Sequence, residues 1–190
     1  CPTLQTALAA AEVEYRDHKS LSIFVKFPAP DMKAPDGSKK SVSYLVWTTT
    51  PWTLPANYGL SLNPALTYDY YDTGSEILIL AEGLKDSVEK QTGLKLAALG
   101  APFEGKSKDK HKAKHPFLNR DSLVVNGDHV TLEAGSGIVH TAPGHGLDDY
   151  IVGMKYGLPV QSPVDEAGKF TAEVPQFQGI KIWDANPKIV

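Results

Sequence analysis

The chain has 190 residues, 42% of them hydrophobic and 22% charged, with a formal net charge of −3. That is enough for one domain with a real core and ordinary globular composition, and it excludes a domain that attracts nucleic acid by overall charge, so any RNA contact needs a local basic patch. The single cysteine, Cys1, excludes a disulfide framework or a thiolate metal cluster and fits a reducing compartment.

No apolar run approaches the roughly 18–20 residues of a bilayer span. The opening, CPTLQTALAA, lacks the basic start of a signal peptide. The expected location is therefore the cytoplasm, with an organellar matrix as the alternative. The first residue is not methionine, and an excised fragment of a longer chain is expected.

In chain order, the Ala- and Leu-rich stretch 3–11 predicts a short helix, and 13–16 and 21–27 predict strands. The second alternates, with Leu21, Ile23, Val25 and Phe27 on one face. Residues 28–40 carry three prolines, a glycine and several charges and read as a loop. Residues 41–48 read as a strand with Val42, Tyr44 and Val46 on one face. Prolines 51 and 55 keep 51–57 out of any regular helix or central strand.

Further strands are expected over 58–62, 68–72 and 77–81, then a helix over 82–92 closed by Gly93. A lysine-dense stretch, 105–115, precedes strands at 123–125, 130–132 and 137–141. A second helix spans 147–156, stopped by Gly157 and Pro159. The tail reads as short strands and turns. Many short strands with few helices imply a mixed sheet or small barrel decorated by helices; strand order does not follow from pattern.

Two segments carry chemistry. In Trp47-Thr48-Thr49-Thr50-Pro51-Trp52-Thr53-Leu54-Pro55-Ala56-Asn57, three hydroxyls stand in a row at a strand's end and two prolines hold the backbone off the sheet. Hydroxyls and unpaired backbone groups there can bind a ribose, an adenine edge or an ester carbonyl. A Pro-rich turn with threonines finishing a strand explains the segment equally well.

In the second, 135–150 (GSGIVHTAPGHGLDDY), an apolar strand ends at His140 and a glycine-rich turn leads into a helix. Asp148 and Asp149 fall in its first turn, where an acid complements the helix dipole by about 0.3–1 kcal/mol. That accounts for one aspartate, not for two and a histidine on the incoming strand. A lone His140 is more often a core histidine than a catalytic one. Lysines 106, 108, 110, 112 and 114 read as a solvated edge or as phosphate contacts.

WTTTPWTLPAN, 47–57, resembles the threonine-rich peptide in the editing insertion of class I aminoacyl-tRNA synthetases for branched aliphatic amino acids. The form TTTPWTLPAN is that of the isoleucine enzymes; the valine and leucine enzymes are looser, with a TTRP-type core. Residues 135–150 resemble that family's second editing motif, and ALAAAEVEY, 7–15, resembles the entry into the insertion. The likeness runs from near the first residue to at least Leu158.

The resemblance implies a single editing (CP1) domain over 1–190: mixed α/β, a β-barrel-like core with peripheral helices, inserted into a Rossmann-type catalytic domain. No HIGH- or KMSKS-type signature is present, so the chain alone is not expected to charge tRNA. A pocket gains only about 1–3 kcal/mol from one methylene, and the isoleucine–valine pair is itself the usual illustration of that limit. A second sieve then hydrolyses valine esters and excludes isoleucine by size.

By this resemblance the substrate is isoleucine tRNA carrying valine at its 3′ end, with valyl-adenylate as a second candidate. Asp149 binds the cationic amino group and Asp148 is the helix-cap acid. Thr48, Thr49 and Thr50 hold the terminal adenosine and the ester, and Asn57 adds an amide. His140 lines the side-chain pocket or positions water, and Trp47 forms a wall. Asp149, Thr50 and His140 are the expected catalytic set.

With no obvious nucleophile, direct attack by water is expected, aided by orientation and oxyanion stabilisation. Neither metal nor cofactor is assigned to the domain; ATP and Mg belong to the parent enzyme. The expected partners are the tRNA and the rest of that enzyme, with no membrane, and the expected state is monomeric.

Two rivals differ in class. His140, His145, Asp148 and Asp149 could hold zinc, although a glycine turn breaks their spacing. A non-catalytic RNA-binding module would use the lysines instead.

Overall fold

Alternating and continuous apolar runs become strands, and how they are buried depends on whether one or both faces are covered. The computed structural model describes residues 6, 7, 9–12, 14, 17 and 21–190. The helix expected over 3–11 falls partly, and the strand over 13–16 almost wholly, outside the described residues; a 3-10 turn spans Ala10–Glu12.

Strands β1 (Ile23–Pro28), β2 (Val42–Thr48), β4 (Thr67–Asp72) and β5 (Ile77–Ala81) form one sheet with the short β6 (Ala97–Ala98) and β7 (Phe103–Glu104). Its order is β1-β2-β5-β4-β6, with β7 also on β4. β2 runs parallel to β5, while β1 is antiparallel to β2 and β4 to β5. β3 (Gly59–Leu62), β8 (Lys112–Lys114), β9 (Asp121–Asn126) and β10 (Ile138–Thr141) form the second sheet, ordered β10-β3-β9-β8. There β3 and β9 are parallel.

The two mixed sheets share a core. Tyr44, Val46, Ile77 and Ile79 of the first meet Leu60, Val124 and Ile138 of the second. The odd residues of β5 fill this core. Its even ones, Leu78 and Leu80, pack with Leu45 and Tyr71 against Val88 of helix α1 (Lys85–Thr92). Both faces of β2 and β5 are thus covered, which is why ILILA is apolar throughout. The expected barrel-like core therefore takes the form of two sheets around one apolar interior, with helices outside.

The helix expected over 82–92 opens as a 3-10 turn, Glu82–Leu84, and closes at Gly93 in the left-handed region, φ 72°. Helix α2 (Leu147–Tyr156) ends the same way at Gly157. Residues 130–132 are not a strand: Val130 N–H bonds the Gly127 carbonyl and its own carbonyl takes the Asn63 side chain, so a turn satisfies them. The tail makes two isolated bridges, Val164 with Phe170 and Lys169 with Lys181. It also forms helix α3 (Ile182–Ile189), which Pro187 conceals in the sequence. Phe170, Val174, Phe177 and Ala185 make a small second core there, against which Trp52 packs. Among the described residues no helix is long and apolar enough to cross a membrane.

Candidate functional site

The threonine segment leaves the sheet where β2 ends. Pro51 opens a 3-10 turn, Pro51–Ala56, and its fixed φ suits that first position. The turn is held from behind. His115 Nε2 lies 2.8 Å from the Leu54 carbonyl oxygen, and the Arg120 guanidinium donates to the Pro55 carbonyl. Asn57 is fully buried; it donates to the Gly59 carbonyl at 2.8 Å and accepts from the Ser122 hydroxyl at 2.5 Å.

In front, the hydroxyls of Thr48, Thr50 and Thr53 contact one another at 3.3–3.4 Å and bond to the backbone. Thr50 N–H donates to Thr48 Oγ1 at 3.1 Å, and Thr53 Oγ1 donates to the Thr50 carbonyl at 2.8 Å. Strand β10 pairs with β3, setting His140 opposite Leu60, and brings His140 Nε2 to 2.9 Å from Thr53 Oγ1. The glycine turn then returns the chain as α2. Asp149 Oδ2 accepts the Ala142 backbone N–H at 2.9 Å, tying the helix to the end of the strand. Gly146 leaves room for this carboxylate, since a Cβ there would sit 3.2 Å from it.

These elements enclose a cavity of about 330 Å³. Six of the seven expected site residues line it: Trp47, Thr48, Thr49, Thr50, His140 and Asp149. Asn57 does not; both ends of its amide are occupied behind the turn. Thr53 and His145 also line the cavity, and sequence reasoning gave neither a part in substrate binding. For Thr53 the available signal was its place three residues after Thr50, the spacing of one 3-10 turn.

Burial raises the Asp149 carboxyl above the usual carboxylate range, against the opposing pull of the Ala142 N–H. Burial also pushes His140 down to about 4, with His145 and His115 acting in the same direction. His145 is lowered by burial too, and its ring meets Trp52 edge-on at 5.1 Å. The site therefore offers one carboxylate, neutral imidazoles and a row of hydroxyl and amide groups. Among the described residues no group of three or more His, Cys, Asp or Glu side chains is placed to hold a metal ion.

The lysine stretch is not a continuous free strip. Lys106 pairs with Glu104, and Lys112 and Lys114 pair with Asp121. Lys108 stands over the Phe103 ring at 4.7 Å.

No family model matches the chain. Isoleucine–tRNA ligases do match it as whole sequences. That of Syntrophotalea carbinolica is 50% identical over 190 residues, covering 98% of this chain and 20% of that protein. Those of Fervidobacterium nodosum and Enterococcus faecalis are each 48% identical, covering 100% and 99% of this chain and 20% of each protein. The chain thus spans about a fifth of the length of these relatives.

Among solved structures, GlLeuRS-CP1 superposes with a TM-score of 0.68 at 14% identity, covering 89% of this chain and 94% of that one. The Plasmodium knowlesi cytosolic leucyl-tRNA synthetase editing domain gives 0.65 at 12%, covering 90% and 92%. At such identities the likeness is one of fold. The chain is homologous along its whole length to one segment of the isoleucine–tRNA ligases, and it has the fold of the synthetase editing domains.

Proposed function

We propose that this domain hydrolyses the ester joining valine to the 3′-terminal adenosine of isoleucine tRNA. The observation that carries the reading is the partly buried Asp149 carboxylate set in a cavity rimmed by Thr48, Thr49 and Thr50. A carboxylate in a confined polar site suits the ammonium group of an aminoacyl ester, through a charge-assisted hydrogen bond. The threonine hydroxyls and backbone groups suit the ribose and the ester carbonyl.

Water is the nucleophile. Its oxygen attacks the ester carbonyl carbon, the acyl–oxygen bond breaks, and the proton goes to the departing ribose hydroxyl; the products are free valine and uncharged tRNA. Thr50 and its neighbours orient the ester and stabilise the developing oxyanion. His140 and Trp47 wall the side-chain pocket, which takes valine and rejects the larger isoleucine. Valyl-adenylate carries the same ammonium group and fits the same reading. ATP and Mg serve the remainder of the parent ligase, which also supplies most of the hold on the tRNA.

The test follows ester loss from valine- and isoleucine-charged isoleucine tRNA, with Asp149→Ala and Thr50→Ala alongside. Loss of the valine ester alone, slowed by both substitutions, is expected. If both esters persist, titration with a non-hydrolysable valyl-adenosine analogue decides: binding that Asp149→Ala weakens keeps the site assignment, and no binding ends it.

A further inference from the structure

His115 and His140 are both buried, yet their rings are satisfied differently. His115 Nε2 faces the Leu54 carbonyl at 2.8 Å, and its Nδ1 accepts the Leu118 backbone N–H at 3.0 Å. A carbonyl only accepts and an N–H only donates, so the His115 proton sits on Nε2. His140 has one partner among the described residues. Its Nε2 lies 2.9 Å from the Thr53 hydroxyl, while its Nδ1 is shielded from solvent and has no hydrogen-bond partner among them.

Which nitrogen of His140 is protonated depends on where the Thr53 hydroxyl sends its one proton. The Thr50 carbonyl oxygen can only accept and lies 2.8 Å away, nearer than His140 Nε2 at 2.9 Å or the Thr50 hydroxyl at 3.3 Å. With the proton committed there, Thr53 offers His140 only a lone pair, which calls for a donating Nε2–H. The opposite tautomer would bury an Nδ1–H with no acceptor. Orphaned buried N–H groups are rarer than under-used acceptors, so the bare Nδ1 agrees with the same assignment.

We infer that Thr53 is a positioning residue for the hydrolytic site. It accepts from His140 Nε2–H and donates to the Thr50 carbonyl, fixing both the imidazole tautomer and the backbone that carries the threonine row. The inference rests on the hydrolytic reading above and narrows the role of His140. Nε2 is a committed donor and Nδ1 is shut off from solvent, so His140 takes no proton from the attacking water. It serves as a rigid wall and as the first member of a three-group chain, His140–Thr53–Thr50. Burial keeps the ring neutral, with the titratable neighbours His145 and His115 acting in the same sense.

Side-chain ¹⁵N–¹H correlation spectra of the chain near pH 7 test this without any substrate. Protonated Nε2 is expected for both His115 and His140; protonated Nδ1 on His140 overturns the inference. Thr53→Ser keeps a hydroxyl and should preserve the His140 pattern and recover most of the rate that Thr53→Val loses. Thr53→Val puts a methyl against Nε2–H. It should disturb the pattern and lower kcat about tenfold, the usual scale for leaving a buried donor unpaired, with little change in KM. A Thr53→Val chain that keeps both the wild-type tautomer and kcat also overturns it. If the wild-type chain hydrolyses no ester, the hydrolytic reading falls, while the spectra still decide the tautomer.

Discussion

At Asp149 two demands conflict. A carboxylate that is to bind an ammonium group must stay charged, yet burial disfavours the charge, against the pull of the Ala142 N–H and a smaller one from His129. The folded-state pKa is raised, so this group's contribution to stability is full below the unfolded pKa and is lost as pH rises through the folded one. At neutral pH the carboxylate is therefore a net cost to folding. Asp149→Asn keeps an oxygen for the Ala142 N–H and removes the charge. It should not lower the thermal midpoint at pH 7 and should raise it if anything. A hydrogen bond to a charged group contributes about 1.5–3 kcal/mol, so deacylation should fall roughly 10- to 100-fold. Thermal melts and initial rates on one preparation check both halves. Equal loss of stability and activity would show that Asp149 serves the fold and not a ligand.

Helix α2 joins the site to the scaffold, and Gly153 shows how tightly. Replacing a helical glycine by alanine ordinarily stabilises by about 0.4–1 kcal/mol. Here a Cβ would lie 2.6 Å from Pro143 Cγ and 2.8 Å from Pro143 Cβ, and Pro143 follows the residue whose N–H holds Asp149. Gly153→Ala should therefore destabilise by about 1–3 kcal/mol, as overpacking does, and reduce deacylation with it; urea denaturation and rates check this. A stabilised variant would mean that Pro143 moves freely.

Elements of this kind were legible because their signals are local. The alternation of β2, the run ILILA and the punctuation by Gly157 and Pro159 each lie within a few residues, and the two motifs are contiguous. Features that depend on distant partners were not. Nothing near β2 says that it lies parallel to β5, and nothing near Lys112 says that Asp121 will neutralise it. Asn57 sits in the site motif, but Ser122 and Gly59 claim its amide. Helix α3 was hidden because Pro187 argues against a helix locally, while packing of the tail around Phe170 and Ala185 overrides it.

Over the whole molecule, two sheets meet in one core and bury imidazoles where they meet the threonine turn. His115 and His140 are both pushed down to about 4, chiefly by burial, and His145 is lowered in the same sense. In the unfolded chain each titrates near 6.5. Above that value neither state holds these protons, and below about 4 both do. In between the unfolded chain holds more of them, so stability rises with pH through this window and is lost as pH falls. The opposite shift of Asp149 offsets part of the loss. The lowered carboxylates Asp36, Asp72, Glu89 and Asp121 act mainly at more acid pH. Urea unfolding between pH 7 and 4.5 should therefore show a falling free energy, with a slope approaching about two protons per molecule. His115→Gln can still donate to the Leu54 carbonyl without titrating, and it should shed roughly one proton from that slope. A flat profile from pH 7 to 4.5 would mean that the buried rings gain protons in the folded state, through water or movement at the threonine turn. The neutral imidazole wall assigned to the site would then fail along with the stability argument.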